Sequence, residues 1–408
     1  MPTPPPLLRA TLTLLAGSAL AQVLPLLLGP WIARLYSPAE YGQFSLVWTV
    51  AANLAVVGCA RYEFALALED DAGASRLLAL CLRVGLAVTG AAIVIGAAWM
   101  LWADLPVAAA LPLAVGALAA SQALAQWASQ AGQFAVVARA RVMQWGGGAL
   151  AQLGLGLAQA GPWGLVGGAT LATACAAAMQ AQPAPAGGWA ALTRPQPLAD
   201  LARRHRDFPL LNTPHAFAGA LQDTLAIALL TAGLGAAEAG AWALALRYLK
   251  APASLVGGSL SQTLYPQLTR ASSPQQALAL VRRSLAVLTA LALPLMGALL
   301  VAGPWLFETV FGPPWRGAGE LARALAPYVA LHFIASPLSV VPMAWGAQAW
   351  ALKLALVGQV AFIAGLAVGL KLGGLAGAGW GVSAVTACYF GYFFWGLLRR
   401  APSTEEMP

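Results

Sequence analysis

Residues 284–307 read SLAVLTALALPLMGALLVAGPWLF, a run without one charged side chain. As an α-helix this run extends about 36 Å at ~1.5 Å per residue, which exceeds the roughly 30 Å of a bilayer's hydrocarbon core. Arg282 and Arg283 precede the run and Glu308 follows it, so charges bound it at both ends. The run therefore predicts a membrane-spanning helix.

The rest of the 408-residue chain has the same character. It is 60% hydrophobic and 9% charged, whereas a soluble domain carries about 25% charged residues. This composition excludes a soluble enzyme, a disordered chain and a disulfide-stapled secreted protein. The apolar runs are continuous and lack the alternating pattern of a membrane β-barrel, so they predict an all-α polytopic membrane protein.

Charges, prolines and turn residues divide the chain into about twelve predicted spans. Charge-free runs occupy residues 10–33, 41–60, 84–103, 105–138, 142–193, 284–307, 324–352 and 372–398. The run 142–193 is long enough for two spans, with a break near Gly161-Pro162. The less apolar segments 211–232, 237–260 and 354–370 complete the set.

The distribution of Lys and Arg predicts the orientation in the membrane. When the N-terminus is placed in the cytoplasm, the far side of the membrane receives only Arg34, Arg316, Arg323 and Lys371. Arg247 and Lys250 fall within a span, and the others of the 22 basic residues lie on the cytoplasmic side. Because cytoplasmic loops collect basic residues, both termini are predicted to be cytoplasmic. The same bias accounts for the pI near 9.7 without a nucleic-acid partner.

A polar linker and an internal repeat divide the chain into halves. The predicted linker spans residues 183–209, between an N-terminal bundle (1–182) and a C-terminal bundle (210–408). The pattern E-x-G-x-aromatic-x-L occurs at 40–46 and again at 238–244. Six spans per half give both halves the same orientation, so they predict two six-helix bundles related by a pseudo-twofold axis along the membrane normal.

Signatures of catalysis are missing from the sequence. It contains no Walker loop, no HExxH and no GxSxG motif. The four cysteines show no CxxC spacing and read as small buried hydrophobic residues, and three histidines form no evident zinc site. A membrane-embedded glycosyltransferase would need a sizeable extracytoplasmic loop, whereas the longest on that side is about 308–320. We therefore expect no enzyme, no metal and no cofactor.

Ionisable residues inside spans are costly and usually face a cavity or a partner. Asp223 lies in the seventh predicted span, and Arg247 and Lys250 lie three residues apart on one face of the eighth. One interpretation is structural, with Asp223 as the counterion of the two cations. The other is a cationic cavity wall that binds an anionic head group such as pyrophosphate, which pairs well with guanidinium.

Arg34, Arg61 and Glu63 are weaker candidates for the same site. Arg34 lies at the far end of the first predicted span, and Arg61 and Glu63 lie at the near end of the second. Contact with the membrane interface by Arg34 and a local Arg61–Glu63 pair are the simpler interpretations. As site residues, the two arginines would assist the cationic wall, and Glu63 would be a counterion or a coupling residue.

Several short motifs give the sequence a family resemblance. They are Leu35–Gly42, Arg61–Glu63, Arg141–Gln144, Arg206–Pro209, Leu246–Tyr248 and Ser261–Pro266. In these motifs the chain resembles the Wzx-type polysaccharide flippases of the multidrug/oligosaccharidyl-lipid/polysaccharide (MOP) exporter superfamily. The resemblance implies a MATE-like fold with two six-helix bundles around a central cavity that opens to alternate faces.

The resemblance also implies a function. The cargo would be an undecaprenyl-pyrophosphate-linked oligosaccharide, moved from the cytoplasmic to the periplasmic leaflet of a bacterial inner membrane for O-antigen (lipopolysaccharide), capsule or exopolysaccharide synthesis. A proton or sodium gradient would drive the movement, and membrane lipids with a polymerase and ligase complex would be the partners. The scarcity of acids within the spans leaves the coupling residue open.

Three alternatives remain open at this point. The first is a cation-coupled multidrug exporter of the same fold, for which an acidic and aromatic pocket would be expected. The second is a flippase for Lipid II, a cargo whose carriers usually have additional spans. The third is a non-transporting scaffold of a polysaccharide assembly complex, in which changes in 183–209 would matter more than changes of charge within the spans.

Overall fold

The computed structural model describes residues 7–182, 184–185, 188–193 and 197–399. This part of the chain is almost entirely helical, with short 3₁₀ and π turns and no strand. The predicted all-α class is confirmed. Both termini and part of the linker 183–209 lie outside the described residues, so the cytoplasmic placement of the termini stays a prediction.

The first of two compact units is Met1–Ile227. Its helices are α1 (Leu7–Leu35), α2 (Pro38–Val57), α3 (Asp71–Trp102), α4 (Leu111–Gln130), α5 (Phe134–Val142), α6 (Gly148–Leu157), α7 (Pro162–Gln180), α8 (Trp189–Thr193), α9 (Ala199–Arg204) and the first part of α10 (Thr213–Leu234). A 3₁₀ turn, Tyr62–Leu68, follows α2, and a second, Pro106–Ala110, precedes α4. A π turn, Met143–Gly147, joins α5 to α6. Within this unit α4 packs against α2, α3 and α7, and α1 packs against α5 and α6.

The second unit is Ala228–Pro408. After the end of α10 it contains α11 (Ala236–Leu249), α12 (Ala251–Thr269), α13 (Pro274–Phe311), α14 (Arg316–Leu338), α15 (Val341–Ala344) and α16 (Gln348–Arg399). Helix α14 is the centre of this unit because it packs against α11, α12, α13 and α16. The division by contacts falls inside α10, and the predicted limits at 182/183 and 209/210 stay a prediction about the linker.

The number of spanning helices agrees with the sequence. Seven helical segments of the described chain are each long and apolar enough to cross a membrane, and α2 with the 3₁₀ turn Tyr62–Leu68 forms a further candidate bent by 41°. The 52-residue α16 is two helices in one, because Gly373 and Gly374 break it into the arms 348–372 and 375–399. With α1, α5–α6 and α11–α12 the total is about twelve, as predicted.

Glycines set the contact between the two arms of α16. A methyl group on Gly369 would overlap the carbonyl oxygen of Gly377, and one on Gly381 would overlap that of Gly365. Gly374 has φ +59° and ψ −141°, a conformation that only glycine adopts readily. The spacing of Gly365 and Gly369 matches the small-residue pattern by which membrane helices approach closely. The arms therefore form a tight hairpin in which backbone lies against backbone.

Several helices begin earlier than the predicted spans. Helix α3 begins at Asp71 instead of residue 84, α5 at Phe134 instead of 142, and α13 at Pro274 instead of 284. These predicted helix starts were wrong, because a charged residue marks where a helix leaves the hydrocarbon core. The helix itself continues beyond that residue. Arg76 and Arg83 in α3, for example, lie on helical turns that extend beyond the apolar run.

Most connections between the described helices are short. They include residues 36–37, 103–105, 131–133, 158–161, 235, 312–315 and 373–374. The segment 58–70, which contains the 3₁₀ turn Tyr62–Leu68, is longer. The side of the membrane that each connection faces stays a prediction.

Candidate functional site

Arg247 and Lys250, the two cations predicted to lie within a span, are found where α11 meets α12. Arg247 is in the last turn of α11, and Lys250 caps that helix. Pro252 stands at the start of α12, where its missing N–H and fixed φ favour the first turn of a new helix. Both cations are half-buried, while the neighbouring Leu246 and Leu249 are buried. The arrangement anchors the helix through its leucines and places two positive charges at the break.

The aromatic neighbours of this break fix its position within the second unit. The ring of Tyr248 lies 4.6 Å from the ring of Phe311, centroid to centroid. Phe311 is the last residue of α13 and also contacts Phe307 at 5.2 Å. The end of α11 is therefore packed against the end of α13.

Arg34 lies in the last turn of α1 and its side chain is exposed. Two residues later, Tyr36 is buried and its hydroxyl donates to the carbonyl oxygen of Gln152 at 2.7 Å. That bond fixes the end of α1 against α6. Arg34 thus stands on a firmly held helix end, as a residue near a membrane surface would.

Asp223 is exposed on α10, next to the residue that attaches this helix to α2. Thr224 accepts a hydrogen bond from Asn53 Nδ2 at 3.1 Å and donates to the carbonyl oxygen of Thr49 at 3.3 Å. Asp223 belongs to the first unit, whereas Arg247 and Lys250 belong to the second. Its suggested role as their counterion stays a prediction.

Arg61 and Glu63 are the two predicted site residues that the fold brings together. Arg61 Nη1 lies 3.6 Å from Glu63 Oε1, and the two side chains are 28% and 3% exposed. Ala60 and Arg61 both have positive φ, at 46° and 61°, so the chain reverses tightly after α2. Each such residue costs roughly 1–2 kcal/mol when it is not glycine. The local pair expected from the sequence is present, and a role in substrate contact stays a prediction.

The sequence did not reveal a polar clasp between the first bundle and the linker. Glu69 Oε1 lies 2.8 Å from His205 Nε2 and accepts a hydrogen bond from Arg204 Nη1 at 3.1 Å. The bond from His205, with that from Arg204, lowers the pKa of the Glu69 carboxyl below its ordinary value. The partners are 136 and 135 residues apart, so only the basic run 203–206 hinted at a need for an acidic partner.

Apolar packing supports the clasp. Leu192 of α8 and Leu201 of α9 are buried in one cluster with Leu77 and Leu78 of α3. The hydroxyl of Tyr62 donates to the carbonyl oxygen of Ala202 at 3.2 Å. The described part of the linker is therefore docked onto the first unit.

One group of described side chains has the composition of a metal site. Cys59, Glu63 and Cys81 are all buried, and their ligand atoms lie within 4.8 Å of one another. Cys175 is only half-buried and Cys388 is exposed, so the prediction of four buried cysteines was right for two and wrong for two. Both exceptions lie on apolar helices, where an exposed side chain can face lipid.

Comparison with known proteins gives this geometry a context. A family model described as "polysaccharide biosynthesis protein" matches residues 31–320. Among the curated proteins none matches the chain.

Solved structures of transporters are similar over nearly the whole chain. An inward-facing multidrug resistance MATE family transporter of the MOP superfamily has a TM-score of 0.70 at 14% identity, over 93% of this chain and 94% of that one. The Lipid II flippase MurJ, in an inward closed conformation, has a TM-score of 0.73 at 9% identity, over 94% and 86%. The Vibrio cholerae MATE transporter VcmN has a TM-score of 0.55 at 16% identity, over 97% and 95%. At these identities the likeness is one of fold.

Proposed function

The chain belongs to the polysaccharide biosynthesis protein family and has the fold of MOP-superfamily transporters, and from this premise we propose that it flips lipid-linked oligosaccharides. The cargo in this proposal is an undecaprenyl-pyrophosphate-linked repeat unit. The unit would pass from the cytoplasmic to the periplasmic leaflet of a bacterial inner membrane by alternating access, for assembly into O-antigen, capsule or exopolysaccharide.

The observation that carries the proposal is the combination of family and fold. The family match covers residues 31–320, which lie in both units. A polysaccharide biosynthesis protein that consists of membrane-spanning helices with short connections is suited to a transport step in polysaccharide assembly. A lipid-linked sugar needs a transporter of this kind, because its polar head group cannot cross the hydrocarbon core of the membrane unaided.

The cations at the α11–α12 break suit the charged part of such a cargo. Arg247 carries a planar guanidinium that pairs with phosphate through two parallel hydrogen bonds, and Lys250 adds a point charge nearby. Arg34 and Arg61 are lesser candidates. Asp223 remains the candidate for coupling to a proton or sodium gradient. The lipid tail would stay in the bilayer while the head group crosses.

The first test asks whether the cargo changes sides. Deletion of the gene should make undecaprenyl-linked repeat units accumulate in a form shielded from a membrane-impermeant sugar-modifying reagent applied from the periplasm. Surface polymer should fall at the same time. Intermediates that remain accessible, with normal polymer, would contradict the proposal, and altered drug sensitivity of the same strain would favour a multidrug exporter.

The second test asks whether the cations matter. Arg247→Ala, expressed in the deletion strain, should lower the rate of flipping about tenfold, which corresponds to about 1.4 kcal/mol of lost transition-state stabilisation, and should therefore lower surface polymer with the amount of protein in the membrane unchanged. Arg282→Ala is the matched control, because Arg282 is exposed near the start of α13 in the same unit. Equal polymer from the two variants would reject Arg247 as a cargo contact.

A further inference from the structure

Two cysteines and a glutamate that the proposed function does not use converge inside the first unit. Cys59 follows α2, Glu63 lies in the 3₁₀ turn Tyr62–Leu68, and Cys81 lies in α3. Their exposed fractions are 1%, 3% and 0%. Because the two cysteines are 22 residues apart in sequence and no CxxC spacing marks them, only the fold reveals their proximity.

The spacing of the three side chains fits a single ion. Zinc binds thiolate sulfur at about 2.3 Å and carboxylate oxygen at about 2.0–2.2 Å, so two ligands of one tetrahedrally bound ion lie about 3.5–3.8 Å apart. The ligand atoms of Cys59, Glu63 and Cys81 already lie within 4.8 Å of one another. Closure around a tetrahedrally bound ion therefore needs any two of these ligand atoms to approach by no more than about 1.3 Å, a distance that side-chain rotation can supply.

Glu63 presents an oxygen that the protein leaves unsatisfied. Oε1 faces Arg61 Nη1 at 3.6 Å, while Oε2 is buried and has no hydrogen-bond partner among the described residues. A buried carboxylate oxygen without a partner is expensive, and such atoms in native proteins often mark a bound ion or water. Arg61 Nε is also buried and unpaired. The orphaned oxygen is an independent sign that the cluster holds a ligand.

Charge balance also permits a divalent cation. Without an ion, the Glu63 carboxylate and the Arg61 guanidinium cancel and the thiols are neutral. When an M²⁺ ion binds, two S–H bonds break, two S–metal bonds form and two protons leave to water. The two new thiolate charges cancel the ion, so the group is neutral in both states. Neutrality is what a buried site requires, because an unbalanced charge there would be strongly penalised.

From these observations we propose that Cys59, Cys81 and Glu63 form a binding site for a thiophilic divalent cation of the zinc class. Two sulfur ligands disfavour Mg²⁺ and Ca²⁺, which prefer oxygen. A water molecule or the carbonyl oxygen of Ala119, which lies 3.5 Å from Cys59 Sγ, completes a tetrahedral set. The site departs from the sequence-based expectation that the protein binds no metal.

The ion has a structural role at this place. Cys59, Cys81 and Tyr62 belong to the same buried cluster as Leu192 and Leu201 of the linker. An ion that ties the turn after α2 to α3 would stiffen the surface on which α8 and α9 dock. Metal binding is therefore coupled to the attachment of the linker, and it is separate from the cations at the α11–α12 break.

The direct test uses Co²⁺ as a spectroscopic substitute for zinc. The full-length protein in detergent, with Cys175→Ser and Cys388→Ser to remove the other two thiols, should bind one Co²⁺ per chain and show a thiolate-to-cobalt charge-transfer band. Cys81→Ala in this background should lose the band while its helical circular dichroism is retained. Absence of the band in the folded parent protein, or its persistence in Cys81→Ala, would overturn the proposal.

A second measurement covers the case in which Cys81→Ala fails to fold. In the same double-serine background, Zn²⁺ should slow the reaction of Cys59 and Cys81 with a small neutral thiol reagent at least tenfold, and Mg²⁺ should not. Glu63→Gln should weaken the protection by Zn²⁺. Equal reactivity with and without Zn²⁺, or a Cys59–Cys81 disulfide in protein isolated under non-reducing conditions, would reject the metal site.

Discussion

The second long helix of each unit begins in the same way. Helix α2 begins at Pro38 and α11 at Ala236, and each carries a glutamate, Glu40 or Glu238, as the third residue. In both, the glycine and the aromatic residue of the repeat lie on buried positions. The repeat read from the sequence is thus a repeated helix start, and it lies at corresponding places in the two units.

The two helices end differently. After α2 the chain reverses through two left-handed residues, and the charge of Arg61 faces the buried carboxylate of Glu63. After α11 the chain continues through Lys250 with φ −80° and ψ −15°, close to helical values, and α12 follows directly. Four of the seven residues of the turn Tyr62–Leu68 are buried, whereas only four of the 18 residues of α12 whose burial is described are buried. One break holds a charge pair with a buried carboxylate, and the other holds two half-buried cations.

This contrast separates two uses of charge in one repeated architecture. In the first unit a charge pair fixes a turn under the linker. In the second unit Arg247 and Lys250 are half-buried at a helix break, and their contact with a head group stays a prediction. Three comparisons of variants test this division of roles. We expect the largest loss of stability when the Arg61–Glu63 pair is broken.

Glu63→Ala should destabilise the protein by about 2 kcal/mol, measured by unfolding in detergent with a chelator present. Removal of one partner of a fully buried pair costs roughly 3–5 kcal/mol, and the partial exposure of Arg61 reduces that cost. Glu308→Ala is the control, because Glu308 pairs with Arg316 on the surface of the second unit; it should cost less than about 1 kcal/mol. Equal losses would mean that the Arg61–Glu63 pair does not hold the turn.

Glu40→Ala should cost about 1 kcal/mol and Glu238→Ala only about 0.3–0.5 kcal/mol. Glu40 completes a capping box, since Oε2 accepts from the backbone N–H of Ser37 at 2.7 Å while Ser37 Oγ accepts from the N–H of Glu40 at 3.3 Å. Gly235, which caps α11, has no side chain with which to form such a box.

The comparison of Glu40 and Glu238 is made by unfolding the two variants side by side in one detergent. Because the residue type and the helix position are the same, only the cap differs between them. A larger loss for Glu238→Ala than for Glu40→Ala would show that the two helix starts are not held as described.

The smallest effect is a pH dependence of linker docking. Because the pKa of Glu69 is lowered in the folded protein, the stabilisation is present above the ordinary glutamate pKa of about 4.3 and is lost as pH falls through the lowered value. Hydrogen exchange of residues 199–206, corrected for intrinsic rates, should therefore accelerate below about pH 4.

Glu69→Gln should make this exchange faster at neutral pH and nearly independent of pH. Glu308→Gln, in a surface pair of the second unit, should leave the profile of residues 199–206 unchanged. A profile that keeps its acid-induced acceleration in Glu69→Gln would assign the effect to another group.

Hydropathy and charge predicted most of the fold because lipid leaves few choices. A spanning segment must satisfy its own backbone hydrogen bonds, so an apolar run of sufficient length becomes a helix. The break at Gly161-Pro162 is confirmed, since Gly161 has φ +57° and α7 begins at Pro162. The predicted helix starts were wrong where arginines lie on helical turns outside the apolar run.

The side-chain contacts within the candidate sites were less predictable from the sequence than the spans. The Arg61–Glu63 pair is local, and its spacing indicates it. The cluster of Cys59 with Cys81 and the clasp of Glu69 with His205 join residues that are distant in sequence, and they depend on how α3 packs and where the linker docks. No periodicity encodes such contacts, because each partner alone reads as an ordinary buried thiol or surface charge.

The glycine hairpin of α16 has a consequence for how the chain enters the membrane. Its turn at Gly373 and Gly374 is two residues long, and Lys371 is the only charge near it. Lys371 is the charge that this turn would carry across the bilayer, and the glycine faces allow the two arms to pack closely. We therefore expect the two arms of α16 to enter the membrane together as one helical hairpin.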